Sequence, residues 1–507
     1  MQNGMTAADA HPPAPASESR ERRLVWLLCL LAAVRVFVFS AAFPFFGTVD
    51  EQNHFDLTVK YEEGHLPRSL ELVSTNATPY VVIYGTHEYL WASNDFPIEQ
   101  FPPPWTRPMA QIGPELVARQ ASWNRVTNHE TLQPPLYYAL TGLSWRAGTA
   151  LGLHDGFLLY GLRFLNLFVV AALVWLGFAA ARMIFPDNAF LKLSVPALLA
   201  FLPQSAFYSI QNDVLSPLCF GAAFIGLVRW LRADAPSVRL GVLTGLALAA
   251  TFLTKISNLP LLAVSALAVL FKIWGLAQAG KLRAAGPALT ALVLGAGLPM
   301  LAWLARCKLA FGDFTGTAAK IQFLGWTPKP FGEWWSHPIF SPHGLWTFLS
   351  GLLATFWQGE ILWHRQPLTL PVVDTIYAVL SISFIGVAAA LLIRSPAGAT
   401  QRQALWLSFG CVAAAVMFLG FLSIIYDFHD CFYPSREHPY FTSGRLMLGA
   451  LIPFMLLFVR GLDCVLGRIK SRWVKPLALA GLVLFMLVAE MVTEWRLFSN
   501  AYNWFHM

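Results

Sequence analysis

The stretch Val49-Asp50-Glu51-Gln52-Asn53-His54-Phe55-Asp56 sets three carboxylates and a histidine just past the first apolar segment of the chain. A carboxylate here can take a proton from a hydroxyl nucleophile. A carboxylate paired with a histidine can instead help to hold a divalent cation. If the stretch is helical, Asp50 and His54 lie four apart and share a face. The plainer alternatives are a solvated helix end for Asp50 and Glu51 and an ordinary interfacial histidine for His54.

Other polar groups recur where apolar segments end. His129 and Gln133 precede Pro134-Pro135, and Gln211-Asn212-Asp213 stands at the head of an apolar run. Thr254-Lys255 closes another, Gln358 and Glu360 interrupt an aromatic one, and His429-Asp430, His438 and Arg445 lie in or after a late polar loop. Each has a structural alternative: Asn212-Asp213 can cap a helix, Lys255 and Arg445 can snorkel to the interface, and His129 and Gln133 can shape the turn before the prolines. Glu360 is harder to dismiss, because an unpaired carboxylate among aromatics is expensive. Ionisable groups at membrane depth are costly and mark functional sites, so their convergence on one face carries more than any single residue.

The elements that must position these groups follow from composition. Of 507 residues, 56% are apolar and 12% charged, against roughly a quarter charged in a soluble chain. Apolar stretches of about 20 residues recur, each long enough to span a bilayer. The reading is an all-α polytopic membrane protein. The net charge of +7 reflects Lys and Arg in short loops on one side, as the positive-inside rule requires, and does not call for a nucleic-acid partner. Cys29, Cys219, Cys411 and Cys464 read as small core residues; Cys307 and Cys431 sit near outer loops and could pair.

Residues 1–23 read as a disordered cytoplasmic tail and 24–46 as the first span, leaving the N-terminus inside. Residues 47–156 form an extracytoplasmic cap, with eleven Asp/Glu against five Lys/Arg in 47–133; its length suggests structure of its own. A bundle follows over 157–305, an outer loop with a re-entrant segment over 306–371, and a second bundle over 372–507. Within these, the expected spans include 191–210, 240–256 and 445–466. Charge bookkeeping lays Pro134–Leu153 along the outer surface and makes Gly344–Trp363 interfacial or re-entrant. That gives eleven full spans, or thirteen if both segments cross. No phosphate-binding loop, dinucleotide fingerprint, HExxH or cysteine-rich metal pattern is present.

Asp50-Glu51 after the first span, Gln133-Pro-Pro-Leu-Tyr-Tyr138 ending the outer loop, Asn212-Asp213, Leu253-Thr-Lys255 and Gly444-Arg445 together resemble the GT-C superfamily of membrane glycosyltransferases. The likeness is nearest to a bacterial branch with an Asp-Glu-x-x-His signature, here Asp50-Glu51-Gln-Asn-His54, with Phe356-Trp357 further on. The resemblance covers residues 24 to 465. It implies transfer of a sugar from a polyprenyl-phosphate-linked donor to a glycan, lipid or protein acceptor on the outer side of a bacterial cytoplasmic membrane. By resemblance Asp50 falls at the catalytic carboxylate and Asp213 at a second active-site acid, and adjacent Glu51 is counted with them as catalytic. Lys255 or Arg445 would steady the donor phosphate, while His54, His129, Gln133, Asn212 and Glu360 would contact substrate or a divalent cation. The aminoarabinose transferases of the superfamily carry an acid–lysine pair where this chain has Leu132-Gln133, so a phosphate or metal contact there does not carry over. The competing readings are a transporter or flippase, for which charges near the midplane and inverted repeats are expected, and a polymerase of lipid-linked glycans.

Overall fold

The computed structural model describes residues 15–86, 101–394 and 398–507. It is an all-α polytopic membrane protein. Among the described residues, nine helices are long and apolar enough to cross a membrane. They lie in α1 (Pro15–Ala42), α6 (Asp155–Ile184), α8 (Ser216–Arg232), α10 (Leu259–Gln278), α11 (Leu282–Phe311), α14 (Pro371–Arg394), α15 (Ala399–Ile425), α16 (Leu451–Leu466) and α17 (Val474–Phe498). Two shorter apolar helices join them, α7 (Ala189–Ala200) and α9 (Val238–Thr254). The span ending in α16 is 83% buried over its most apolar window and that ending in α8 72%, against 17% for α11 and α17, so the first two form the centre and the last two the periphery.

The cap after α1 contains α2 (Glu51–Glu62), α3 (Thr78–Tyr84), α4 (Met109–Trp123) and α5 (Leu136–Ala150). It is tied by a two-residue antiparallel ladder between β1 (Glu71–Leu72) and β2 (Thr127–Asn128), with Glu71 opposite Asn128. Helix α5 packs on α2 and leaves Leu143 and Leu151 exposed. The segment between α11 and α14 carries α12 (Thr317–Phe323) and α13 (Pro342–Gln358). Strand β3 (Thr327–Pro328) there pairs with β6 (Tyr426–Asp427), and β4 (Leu362–Trp363) with β5 (Gln366–Pro367) makes a small hairpin.

Several boundaries differ from expectation. Helix α1 begins at Pro15, so the part of the expected disordered tail from 15 to 23 is helical, supported by an Arg22–Glu18 pair one turn apart; the remainder, 1–14, lies outside the described residues. The apolar run 191–210 is helical only to Ala200, after which residues 201–215 are irregular with short 3-10 turns. Irregular backbone at such depth is stable only where protein satisfies it. Here Arg35 donates to the carbonyls of Ala200 (3.1 Å) and Leu202 (2.6 Å), and Asn166 to those of Phe207 and Ser209. Arg35 is itself balanced by Glu490 of α17 at 2.7 Å, with the Tyr208 hydroxyl joining both. The stretch 444–450 opens as a 3-10 helix before α16 begins. All six cysteines are free, Cys307 and Cys431 included.

Residues 500–507 fold back beneath the cap. The Trp504 ring lies against Phe37 and Phe164, the Trp105 indole donates to the His506 carbonyl, and the Tyr502 hydroxyl donates to the Pro102 carbonyl.

Candidate functional site

The site begins where α1 stops. Pro44 cannot continue the helix, and the carbonyls of Ser40, Phe43 and Pro44 are collected by one guanidinium, that of Arg163 on α6. Such capping satisfies carbonyls that a helix end leaves orphaned. Arg163 also stacks on Phe45 and forms a paired contact with Glu51, its Nε and Nη2 donating at 2.9 and 2.8 Å. The Glu51 carboxylate accepts further from the backbone N–H of Phe46 and of Ile210, both at 2.9 Å. Glu51 is fully buried and spoken for on both oxygens. It joins α1, α6 and the irregular 201–215 segment into one frame.

Asp50 faces the other way. It stands ahead of α2 with φ at +66°, in the left-handed region, a strained conformation for a residue with a side chain. The expected Asp50–His54 pairing on one helical face is therefore not formed. His54 is buried and its Nδ1 meets the Tyr138 hydroxyl at 2.7 Å; burial pushes its pKa down to about 4. Asp50 instead accepts from Arg445 at 2.8 Å and meets His129 Nε2 at 3.2 Å. Burial would raise the Asp50 carboxyl, but the His129 hydrogen bond and the Arg445 charge outweigh it and hold it well below the usual range.

Arg445 is the hub. Its Nη2 reaches Asp50, its Nε reaches Glu360 at 2.8 Å, and its Nη1 reaches Asp213 at 3.4 Å and Gln211 at 3.3 Å. Two glycines make this possible. A Cβ on Gly444 would lie 2.2 Å from the Phe356 nitrogen, so only glycine lets the start of this span press against α13. Gly359, at φ +84°, ends α13 against Ser205 and Gln204, where a Cβ would lie 2.0 Å from the Ser205 hydroxyl. The turn delivers Glu360, which accepts from Ser443 Oγ at 2.7 Å as well as from Arg445. Its carboxyl is raised by burial, partly offset by the Arg445 charge.

Beside Arg445, Lys255 binds both oxygens of fully buried Asp213 at 2.6 and 2.7 Å. Asn212 and Asp213 do not cap the next helix by their side chains. Asn212 donates to the Thr254 carbonyl at 3.2 Å and reaches Gln133 Oε1 at 3.4 Å. Gln133 in turn donates to Glu130, which also accepts from Lys320 of α12. Burial alone would raise Glu130; the Lys320 charge reverses this and brings it down to about 2.

Asp50, His129, Gln133, Asn212, Asp213, Lys255, Glu360 and Arg445 thus form one connected network at one end of the bundle, drawn from six separate stretches of chain. His54 stands one shell behind, and Glu51 in the frame. His429 is elsewhere, with Thr327 and the exposed Arg436–Asp427 pair. Glu130 stands in the stretch His129-Glu130-Thr-Leu-Gln133 that the sequence already marks, whereas sequence reasoning does not single out Lys320 or Arg163. Arg163 carries a signal, an arginine inside an apolar run; a lysine in a polar loop has none.

One oxygen of Asp50, one of Glu130 and a ring nitrogen of His129 lie within 4.8 Å of one another. Two carboxylates and an imidazole fit a divalent cation by type. These three residues would hold such an ion, and it would supply positive charge toward a bound phosphate. Lys320 and Arg445 already bring positive charge to the same carboxylates.

A family model described as predicted membrane protein (DUF2142) matches residues 31–423. The chain belongs to this family. The match takes in the C-terminal part of α1, the cap, Asp213, Lys255 and Glu360, and stops short of Ser443 and Arg445. The family's description names no activity. A search of curated proteins gave no match.

Proposed function

We propose that the protein is a GT-C-type glycosyltransferase of the bacterial cytoplasmic membrane. It moves a sugar from a polyprenyl-phosphate-linked donor to an envelope glycan, lipid or protein acceptor on the extracytoplasmic side. The observation that supports this best is the meeting of Asp50 and Arg445 at the end of the bundle, with Asp50 keeping 17% of its side-chain surface open. A sugar on a phosphate is already activated. The acceptor oxygen forms a bond to the anomeric carbon, the bond from that carbon to the phosphate oxygen breaks, and its electron pair leaves with the phosphate. Attack opposite the leaving group inverts the anomeric centre.

Asp50 takes the acceptor proton, oriented by His129. Arg445 steadies the phosphate charge, and Lys255 balances the Asp213 carboxylate beside it. In the free protein Arg445 weakens Asp50 as a base. A donor phosphate that draws the guanidinium toward itself restores that basicity, so the base is activated when the donor is in place. Glu360 and Ser443 keep the guanidinium in reach of both.

A deletion strain should lack one envelope sugar and accumulate its lipid-linked donor, both corrected by the wild-type gene. A donor trapped on the cytoplasmic face would indicate a flippase instead, and an unchanged envelope would remove the proposal. The topology is tested in a Cys431→Ser background. Ser336→Cys should react with a membrane-impermeant maleimide in intact cells and Ser237→Cys only after permeabilisation; the reverse pattern would put the site on the wrong side.

A further inference from the structure

A groove of about 430 Å³ opens next to the network, between the cap and the outer end of α11. Its walls include Arg68, Leu70 and Leu132 from the cap and Phe311, Ala319 and Phe323 from α11 and α12. Its size suits a small ligand. Two wall residues lead straight to the site. Phe323 stacks on His129, which bonds Asp50, and Leu132 adjoins Gln133, which bonds Glu130. Lys320 lies on the same helix as Ala319 and Phe323 and is paired with Glu130.

The two cations of the network and Lys320, which joins it through Glu130, are not equally available. The Lys255 side chain is 7% exposed and closed on Asp213, and that of Arg445 is 11% exposed among three carboxylates. Lys320 is 28% exposed. An incoming anion meets first the cation that still has open surface. The groove offers apolar walls of Leu70, Leu132, Phe311 and Phe323, with exposed Arg68 on one side and Lys320 beside it. That combination complements a molecule with an anionic head and a hydrocarbon chain.

We propose that this groove is the prenyl-side half of the donor site, and that Lys320, not Lys255, is the second cation on the donor phosphate. The first isoprene units lie along Leu132, Phe311 and Phe323, and the phosphate passes between Lys320 and Arg445. This rests on the transferase reading for the identity of the ligand. It assigns the groove to the donor and leaves the acceptor to approach Asp50 from elsewhere.

The test uses the purified full-length protein in lipid nanodiscs, titrated with farnesyl phosphate and, in separate arms, with farnesol and inorganic phosphate. Wild type should bind farnesyl phosphate saturably and at least ten-fold more tightly than either fragment. Lys320→Met should weaken binding about ten-fold or more, as expected for loss of a charge-assisted contact, and Lys320→Arg should retain most of it. Leu132→Trp, which fills the groove without changing charge, should weaken it too, and it decides the matter if Lys320→Met fails to fold by thermal unfolding. Wild-type affinity in both Lys320→Met and Leu132→Trp would overturn the proposal, as would inorganic phosphate binding as tightly as farnesyl phosphate. Failure of wild type to bind farnesyl phosphate, in a protein whose deletion still removes an envelope sugar, would discard the groove and leave the transferase reading standing. Binding as expected with an unchanged envelope would do the opposite.

Discussion

Asp50→Asn should slow sugar transfer about 10²- to 10⁴-fold, the range for loss of a positioned general base, while the protein folds and reaches the membrane at wild-type levels. The asparagine keeps the shape and can still accept from Arg445, but it cannot take a proton. On the proposed mechanism the loss should fall mainly on kcat, because a base acting on the acceptor hydroxyl as the bond forms contributes little to donor binding. The pH profile offers a second readout. Since the free carboxyl is held well below its usual range, kcat/KM should show no acid limb from Asp50 within or above the ordinary carboxylate range. A kcat in Asp50→Asn within a few-fold of wild type would remove Asp50 from the chemistry.

Glu51→Ala should be damaging in a different way, by about 3–5 kcal/mol of stability, the cost of stranding one partner of a buried ion pair. Arg163 would be left charged and fully buried, and the N–H groups of Phe46 and Ile210 would lose their acceptor. The check is the thermal unfolding of purified variants. The double variant Glu51→Ala/Arg163→Met should recover part of the loss, because the stranded charge is gone. Equal unfolding of Glu51→Ala and wild type would show that Glu51 does not hold the frame.

The contrast between these neighbours marks how far the sequence could be read. Asp213, Lys255, Glu360 and Arg445 stand out because each is an ionisable residue at the edge of an apolar stretch, where its cost demands a reason. Their grouping at one end follows from the alternation of spans. What adjacent Asp50 and Glu51 do is not legible, since they are chemically alike. A single left-handed residue turns one carboxylate to the network and leaves the other to Arg163, and nothing in the local residue types announces that turn. The run 191–210 shows a second limit. Apolar periodicity does not separate a buried helix from buried irregular backbone. The helix can stop at Ala200 because Arg35 and Asn166, distant in sequence, satisfy the carbonyls that its end and the irregular segment leave open. Lys320 shows a third limit: its role comes only from how α12 folds back on the cap.

The pairing of Arg35 with Glu490 bears on how the protein is made. The arginine lies in α1, and its counter-charge lies 455 residues later, in α17. The carbonyls of Ala200 and Leu202 accept from it as well, but an uncompensated guanidinium in hydrocarbon is unfavourable until α17 docks. Residues 500–507, which follow α17, also fasten the cap from beneath. Docking of α17 therefore does two things at once: it neutralises the guanidinium carried by α1, and it brings the segment that clasps the cap into place.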